Sequence, residues 1–569
     1  MTAEAVAPEQ DTSTVVDMVA GLDTVLTDGA LGPLRRLVPP AGVVGRLGGR
    51  LARQPSLPAG KARTLAVELA RVAAGRSQVA PGKKDRRFQD PAWTENWLLR
   101  RAMQAHLAAA GVAVETIDEA GLEWADHERL HLAVSNLADA LAPSNNPVLN
   151  PLAWKAVVDS GGLSVVRGTR RLVGDLARAP RVPSMVEPDA FRVGHDLAVS
   201  PGQIVLRTPI FELIEYAATT EQVSEVPLLM IPPTINKYYI ADLAPGRSIV
   251  EHMVGNGQRV FMVAWRNPGK AQADWGLDDY GKAVLDAMDK VADIVGHRRS
   301  ALLAFCSGGI ITSMVLSHLA SLGELDRIVG AGLAVTVLDQ AKAGTTSALM
   351  DPATAEEATE TSRRKGYLDG ATLAEVFAWL RPNDLVWNYW VNNYLQGKAP
   401  AAFDILFWNA DTTRMPAHLH RDFLELSTTN SLTRPGEANF LGRPVDLSKV
   451  DVDSYVLAGI ADHLCQWQSC YQSTQLLGGT SRFVLSTSGH IASLVNPPGN
   501  PKSTWRTAEH NPSSAEAWLE GAETVQGSWW TDFTAWLDAR CGEKVDAPAA
   551  PGGDGAVLGP APGTYVYGR

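Results

Sequence analysis

The sequence predicts an α/β fold: a mostly parallel sheet with helices on both faces, behind a helical N-terminal domain and interrupted by an aromatic-rich insertion. Three observations lead there. Apolar runs of strand length recur at 226–231, 259–265, 301–305 and 327–338. Helical patterns separate them, and strand–helix alternation at this spacing builds parallel sheet. After about Asp339 the alternation stops for roughly a hundred residues that read as helical and aromatic, then returns at 453–459 and 481–485.

Taken in order, residues 1 to about 85 are rich in Ala, Gly, Pro and Arg with patches of helical periodicity, and are expected to be poorly ordered or loosely packed. Helical patterns dominate 86–190, broken at Pro143-Ser144-Asn145-Asn146-Pro147, where the turn chemistry reads as a loop. Trp93, Trp97 and Trp154 are candidate packing anchors of this helical N-terminal domain. From 191 to 569 a catalytic sheet domain is expected. Its short pieces at 203–206 and 211–216 precede the run at 226–231, which ends in Pro232-Pro233. Residues 279–295 form an amphipathic helix with Val284, Met288, Val291 and Val295 on one face, and Gly296 stands where a C-terminal glycine cap belongs. The insertion, about 340–446, carries Phe377, Trp379, Trp387, Tyr389, Trp390, Tyr394, Phe403, Phe407 and Trp408. Rings at that place, just past the central turn, suit a lid over an apolar substrate path, with a helical core as the plainer alternative. After Pro497 the chain reads as irregular apart from an aromatic helix at 529–537 and a Pro/Gly-rich tail.

Composition narrows the function classes. A chain of 569 residues exceeds one simple core, and 45% hydrophobic with 20% charged residues is globular. A net charge of −11 argues against a nucleic-acid surface, and the basic run Lys83-Lys84-Asp85-Arg86-Arg87 is too short to reverse that. Four cysteines (Cys306, Cys465, Cys470, Cys541) make no disulfide framework and no C-x-x-C, and no metal is expected. The N-terminus lacks the pattern of a signal peptide and no apolar run spans a bilayer; a soluble protein of a reducing compartment is expected.

The candidate chemistry sits at strand ends. Ala304-Phe305-Cys306-Ser307-Gly308 follows the strand–turn–helix layout of a nucleophile elbow, with Cys in place of Ser and Ala in place of the first Gly. The small residues flanking the turn answer a steric need, since strand and helix backbones nearly touch there. A buried structural cysteine in such a turn is the plainer alternative. The last two strands end in Asp462-His463 and Gly489-His490-Ile491, giving the order nucleophile, acid, histidine of an α/β-hydrolase-type sheet. A thiol needs a base to become a thiolate, which His490 supplies, and Asp462 would fix the imidazole tautomer. Asp462 as a helix cap, and Asp339 as the third member, stay open; His463 competes with His490, though the sheet order favours His490. The oxyanion hole would use the backbone N–H groups of Ser307 and of Ile235. Cys465, Cys470 and Cys541 read as buried structural thiols; Cys465, three residues past Asp462, carries the alternative of a second acyl-bearing thiol.

Several strings make a family resemblance specific. They are Pro232-Pro233-Thr234-Ile235-Asn236-Lys237-Tyr238-Tyr239-Ile240 with Asp242-Leu243, Trp265-Arg266-Asn267-Pro268, and Asn383-Asp384-Leu385-Val386-Trp387-Asn388-Tyr389-Trp390. Phe407-Trp408-Asn409-Ala410-Asp411, Asp462-His463, Gly489-His490-Ile491 with Asn496-Pro497-Pro498, Gly527-Ser528-Trp529-Trp530 and, earlier, Arg87-Phe88-x-Asp90-Pro91-x-Trp93 continue the match. From about Arg86 to the C-terminus the chain resembles the polyhydroxyalkanoate synthases of the single-subunit-type classes I and II, departing from their G-x-C-x-G-G box at Ala304. The resemblance implies polymerisation of (R)-3-hydroxyacyl-CoA into polyester with release of CoA, through an acyl thioester on Cys306. It also implies catalytic roles for Cys306, His490 and Asp462, with Asp462 either orienting His490 or activating the next 3-hydroxyl. Asn236 and His463 are candidate substrate-site residues. No cofactor is implied, since CoA thioester is substrate and CoA product. The partners implied are the growing polyester, a second copy in a homodimer, and a cytoplasmic polymer granule with its associated proteins. A thioesterase or depolymerase on the same scaffold, and a granule-binding protein with a vestigial site, are the rival readings.

Overall fold

A computed structural model of the protein describes residues 26, 41–82, 85–340, 352–380, 382–462, 464–553 and 555–568. The expected loose start (apart from residue 26 and the stretches 41–82 and 85), Lys83-Lys84, the lid residues 341–351 and 381, and His463 lie outside the described residues. The chain divides into two compact units, one of residues 1–30, 188–370 and 403–569, the other of residues 31–187 with 371–402.

The first unit is built on a ten-stranded sheet among the described residues. Its strands are β1 (Gly202–Arg207), β2 (Phe211–Tyr216), β3 (Leu228–Ile231), β4 (Val260–Trp265), β5 (Ser300–Phe305), β6 (Ile328–Ala334), β7 (Ser454–Gly459), β8 (Ser481–Ser486), β9 (Thr504–Thr507) and β10 (Glu523–Gln526). They lie in the order β1-β2-β4-β3-β5-β6-β7-β8-β9-β10. The run β4-β3-β5-β6-β7-β8 is parallel throughout, and β1, β2, β9 and β10 flank it antiparallel. The mostly parallel sheet expected from the sequence is therefore present. Every residue of β3, β4, β5 and β7 is buried, as strands covered on both faces require, which is why they read as unbroken apolar runs rather than alternating ones.

Strand ends depart from the sequence reading for local reasons. β3 starts at Leu228 rather than 226 because Pro227 has no N–H to give the ladder; it contributes only its carbonyl, which accepts from Ala301 N at 2.9 Å. β6 stops at Ala334, not at 338, because Val335 takes a φ of +46°. The helix Leu277–Val295 buries Val284, Met288 and Val291 and ends at Gly296 with φ +83°, where the cap was expected. The antiparallel pair β9 and β10 lies where the sequence predicts irregular chain after Pro497. Both are four-residue strands rich in polar residues, and β10, at the sheet edge, is largely exposed, so no apolar run marks them.

The second unit is helical. Residues Ala41–Arg53, Ser56–Ala73, Trp97–Glu119, Trp124–Ala140, Pro151–Asp159 and Leu163–Leu176 are α-helices. Small apolar clusters hold them, among them Val43 with Ile117 and Leu130, and Phe88 with Trp93 and Met103. Asn96 opens the longest helix by accepting from Leu98 N and Leu99 N at 2.9 and 3.2 Å. Of the three expected anchors only Trp93 is buried; Trp97 and Trp154 are 63% and 54% exposed. The aromatic stretch within 371–402 winds into π-helical turns at Asn383–Trp387 and Trp390–Leu395. There Val386 joins Val182 and Ala378 in a third cluster, and Trp390 Nε1 donates to Asn145 O at 3.0 Å.

Candidate active site

The central strand delivers the nucleophile candidate. β5 runs straight into the helix Ser307–Leu322 through Cys306, whose φ of +49° and ψ of −120° lie where side chains are rarely found. Cys306 N donates to Ala334 O at 2.9 Å, the last rung toward β6, while its carbonyl accepts from Gly309 N and Ile310 N and so starts the helix. Strand and helix thus both grip one residue, and a strained conformation costing roughly 1–3 kcal/mol persists only when so over-determined. Gly308 makes the turn possible: a Cβ there would stand 2.5 Å from Pro232 O and 2.8 Å from Ile231 O. Ala304, in place of a small glycine, fits inside β5 fully buried between its partners Ile231 and Leu333.

β7 and β8 bring the acid and the histidine together. Asp462 follows β7, and His490 opens the helix His490–Leu494 after Ser488 and Gly489. His490 Nδ1 lies 2.7 Å from Asp462 Oδ2. A carboxylate here only accepts, so Nδ1 carries the proton and Nε2 is the ring nitrogen left for other work. The second oxygen, Asp462 Oδ1, accepts from Leu464 N at 2.8 Å and Cys465 N at 2.9 Å. Capping the turn and holding the histidine, which the sequence left as rival readings of this acid, are done by its two different oxygens. Asp339 binds Asn430 Nδ2 through Oδ1 at 2.9 Å.

A cysteine that the sequence reading treated as structural also stands here. The sulfurs of Cys306 and Cys465 and a ring nitrogen of His490 all lie within 4.8 Å of one another. The signal in the sequence was the spacing: an acid that caps its own turn through the N–H three residues on draws that residue alongside, and Cys465 is that residue.

The electrostatics follow from the grouping. Hydrogen bonding from Cys465 is the largest influence on Cys306 and lowers its pKa; burial opposes it, and His490 and the Ser307 N–H lower it further, to about 5. Burial alone would push the His490 imidazolium down, but the charge and hydrogen bond of Asp462, with Cys306 behind, raise it to about 10. Cys465 is pushed well above the ordinary thiol range, first by Cys306 and then by burial. Both shifts run in the direction that favours a Cys306 thiolate beside a His490 imidazolium over the neutral pair.

The loop after β3 closes the other side. Thr234 N–H donates to Ser307 Oγ at 2.9 Å, and the two hydroxyls are 3.1 Å apart, which ties this loop to the first turn of the nucleophile helix. No hydrogen-bond acceptor among the described residues takes the Ile235 N–H. Asn236 sits at φ +66° with its Oδ1 buried and without a hydrogen-bond partner among the described residues. The tie through Thr234 and Ser307 Oγ was not visible in the sequence, because no spacing rule links positions 73 residues apart.

Comparison with known proteins places these residues in context. Residues 84–253 match the family model described as the N-terminus of poly-beta-hydroxybutyrate polymerase (PhaC), and residues 227–497 match that of the alpha/beta hydrolase fold. The chain is 44% identical over 518 residues to poly(3-hydroxyalkanoate) polymerase 1 of Ectopseudomonas oleovorans, covering 91% of this chain and 92% of that one. It is 39% identical over 507 residues to the poly(3-hydroxyalkanoate) polymerase subunit PhaC of Cupriavidus necator, covering 87% and 85%.

Proposed function

The chain belongs to the poly(3-hydroxyalkanoate) polymerases, and from that premise we propose that it joins (R)-3-hydroxyacyl units from CoA thioesters through an acyl thioester on Cys306. The observation that carries this reading is Cys306 at its strained strand end, within 4.8 Å of His490, whose Nδ1 is held by Asp462 at 2.7 Å.

In acylation the Cys306 thiolate adds to the thioester carbonyl of the substrate. The oxyanion that forms is received by the Ser307 and Ile235 N–H groups, one at a helix start and one on the loop tied to it. Collapse breaks the bond to CoA sulfur, and the His490 imidazolium gives that leaving thiolate its proton. In elongation the now neutral His490 takes the proton of an incoming 3-hydroxyl, whose oxygen attacks the Cys306 acyl group. An ester forms and the thiolate returns, so each ester bond made is matched by one CoA released. No step calls for a cofactor. Asp462 has the orienting role in this scheme, because Oδ2 serves His490 and Oδ1 serves two backbone N–H groups, leaving neither oxygen uncommitted for a hydroxyl proton. Asn236, with its buried amide oxygen, is assigned to the substrate site, and His463 stays a candidate for it as the neighbour of Asp462 in the sequence.

Work as a homodimer at the surface of a cytoplasmic polymer granule belongs to the same reading. It is supported by the exposed apolar side chains of the helix Leu163–Leu176, among them Val165, Val166, Val173 and Leu176, which suit an apolar surface. No described helix is long and apolar enough to cross a membrane.

The test is the fate of (R)-3-hydroxyacyl-CoA. CoA release with insoluble polyester is expected, and Cys306→Ala should abolish both while the fold is kept, since little volume is lost. Release with soluble hydroxy acid would make the protein a hydrolase, no release a binder, and polymer made by Cys306→Ala would remove Cys306 from the mechanism.

A further inference from the structure

We propose that Cys306, Cys465 and His490 form a reversible binding site for one thiophilic d10 cation of the zinc class, bound in competition with acylation of Cys306. Three donor atoms that lie within 4.8 Å of one another all fall within about 2.8 Å (4.8/√3) of a common centre. Zinc–sulfur bonds are about 2.3 Å and zinc–nitrogen bonds 2.0–2.1 Å, so a contraction of roughly half an ångström closes the site. Side-chain torsions supply that much movement without moving the backbone.

The donor set selects the ion. Two sulfurs and an imidazole suit zinc and its soft relatives and are poor ligands for magnesium or calcium. Asp462 organises two of the three ligands. Its Oδ2 holds His490 Nδ1 at 2.7 Å, the carboxylate–histidine arrangement that aims Nε2 at a metal, and its Oδ1 accepts the Cys465 N–H at 2.9 Å. Cys465 and His490 are 5% and 7% exposed, whereas Cys306 is only half-buried, so an ion enters on the Cys306 side and keeps its fourth position there for water. No motif in the sequence hints at this, because the ligands come from positions 306, 465 and 490 on three different strand ends.

The consequence is inhibition rather than catalysis. A bound ion takes up the sulfur lone pair that attacks the thioester and the Nε2 that carries the proton, so the loaded protein is silent until a chelator frees it. Binding of the ion does not depend on the catalytic roles proposed above, and either can fail without the other.

The experiment titrates the full chain, reduced with a phosphine and stripped of metal, with Cd²⁺ as an optical surrogate for zinc. One equivalent should raise a thiolate-to-metal charge-transfer band of two-sulfur intensity. Cys465→Ser should halve that intensity and weaken binding about tenfold or more, and His490→Ala should weaken binding similarly while keeping the intensity. Cys470→Ala, whose thiol is directed at the Cys465 carbonyl at 3.8 Å, should leave the band unchanged. No saturable band at one equivalent, or a band indifferent to Cys465→Ser, would overturn the proposal. Should the serine variant not fold by circular dichroism, the unmodified chain decides. One equivalent of Zn²⁺ must slow iodoacetamide alkylation of Cys306 and a chelator must restore it; unprotected Cys306 refutes the site.

Discussion

At the scale of single residues, the unusual assignment is Asp462. One carboxylate holds the base of the proposed reaction and the turn that carries a second thiol, so its removal touches both neighbours of Cys306. Asp462→Asn leaves an amide that accepts from only one oxygen and carries no charge. His490 then loses the influence that raises it against burial, and the imidazolium no longer matches a thiolate on Cys306. The sign follows: the His490 pKa falls, and the Cys306 pKa rises from about 5. Alkylation of Cys306 by iodoacetamide, followed against pH, should therefore show its midpoint displaced upward in the variant, and single-turnover CoA release should slow by several orders of magnitude, as in wrong-tautomer variants of hydrolase triads. A CoA burst as fast as that of the unmodified protein, with elongation lost, would transfer Asp462 to activation of the 3-hydroxyl. The grouping of Cys306, Asp462 and His490 was legible from order along the chain, since each follows the end of a strand. The division of labour between the two oxygens of Asp462 was not, because it depends on where a turn puts its N–H groups.

At the scale of elements, the site depends on one close approach. The first turn of the helix Ser307–Leu322 lies against the loop after β3, and Gly308 is where the two backbones meet. A methyl at Gly308 would stand 2.5 Å from Pro232 O, and a backbone carbonyl has no flexible end with which to yield. Gly308→Ala should therefore push the loop off the helix, break the Thr234–Ser307 hydrogen bond, and separate the N–H groups of Ser307 and Ile235. The expected result is a fall of about 10²-fold or more in the rate of CoA release, with a loss of roughly 1–3 kcal/mol in stability, measured by denaturant unfolding alongside the assay. Activity within threefold of the unmodified protein would show that the loop is not held by this contact. The elbow itself was legible, as a strand-length apolar run, a small-residue turn and a helix. The strands β9 and β10 were not, because β9 has only four residues, three of them polar, and β10 at the sheet edge is largely exposed and needs no apolar pattern.

At the scale of the molecule, residues 371–402 group with residues 31–187 rather than with the sheet residues on either side of them in sequence. Tyr394 Oη donates to Asp175 Oδ2 at 2.7 Å, Asn393 Nδ2 to Ser184 O at 2.7 Å, and Asn383 Nδ2 to Asp139 Oδ2 at 2.8 Å. A Cβ on Gly168 would stand 1.9 Å from Tyr394 O, so the helix Leu163–Leu176 and the Trp390–Leu395 turn touch backbone to backbone. A chain beginning at residue 188 would keep the sheet but strip these partners from 371–402, baring Ala378, Val386 and the aromatic rings around them. Such a truncation should express mainly as insoluble protein and give no CoA release. A soluble, monodisperse fragment with an unchanged unfolding midpoint would show that the aromatic insertion folds without the N-terminal helices.

The sequence by itself determined the α/β class, the parallel core and the family, because buried strands need unbroken apolar runs and the turn at Cys306 needs small residues. Those are local demands, written where they act. Only the tertiary structure decided that Cys465 stands beside Cys306, that Thr234 ties to Ser307, and that 371–402 packs with helices more than two hundred residues earlier. Each of these is a contact between side chains or backbones distant in sequence, and what fixes it is the packing of elements whose own patterns say nothing of their neighbours.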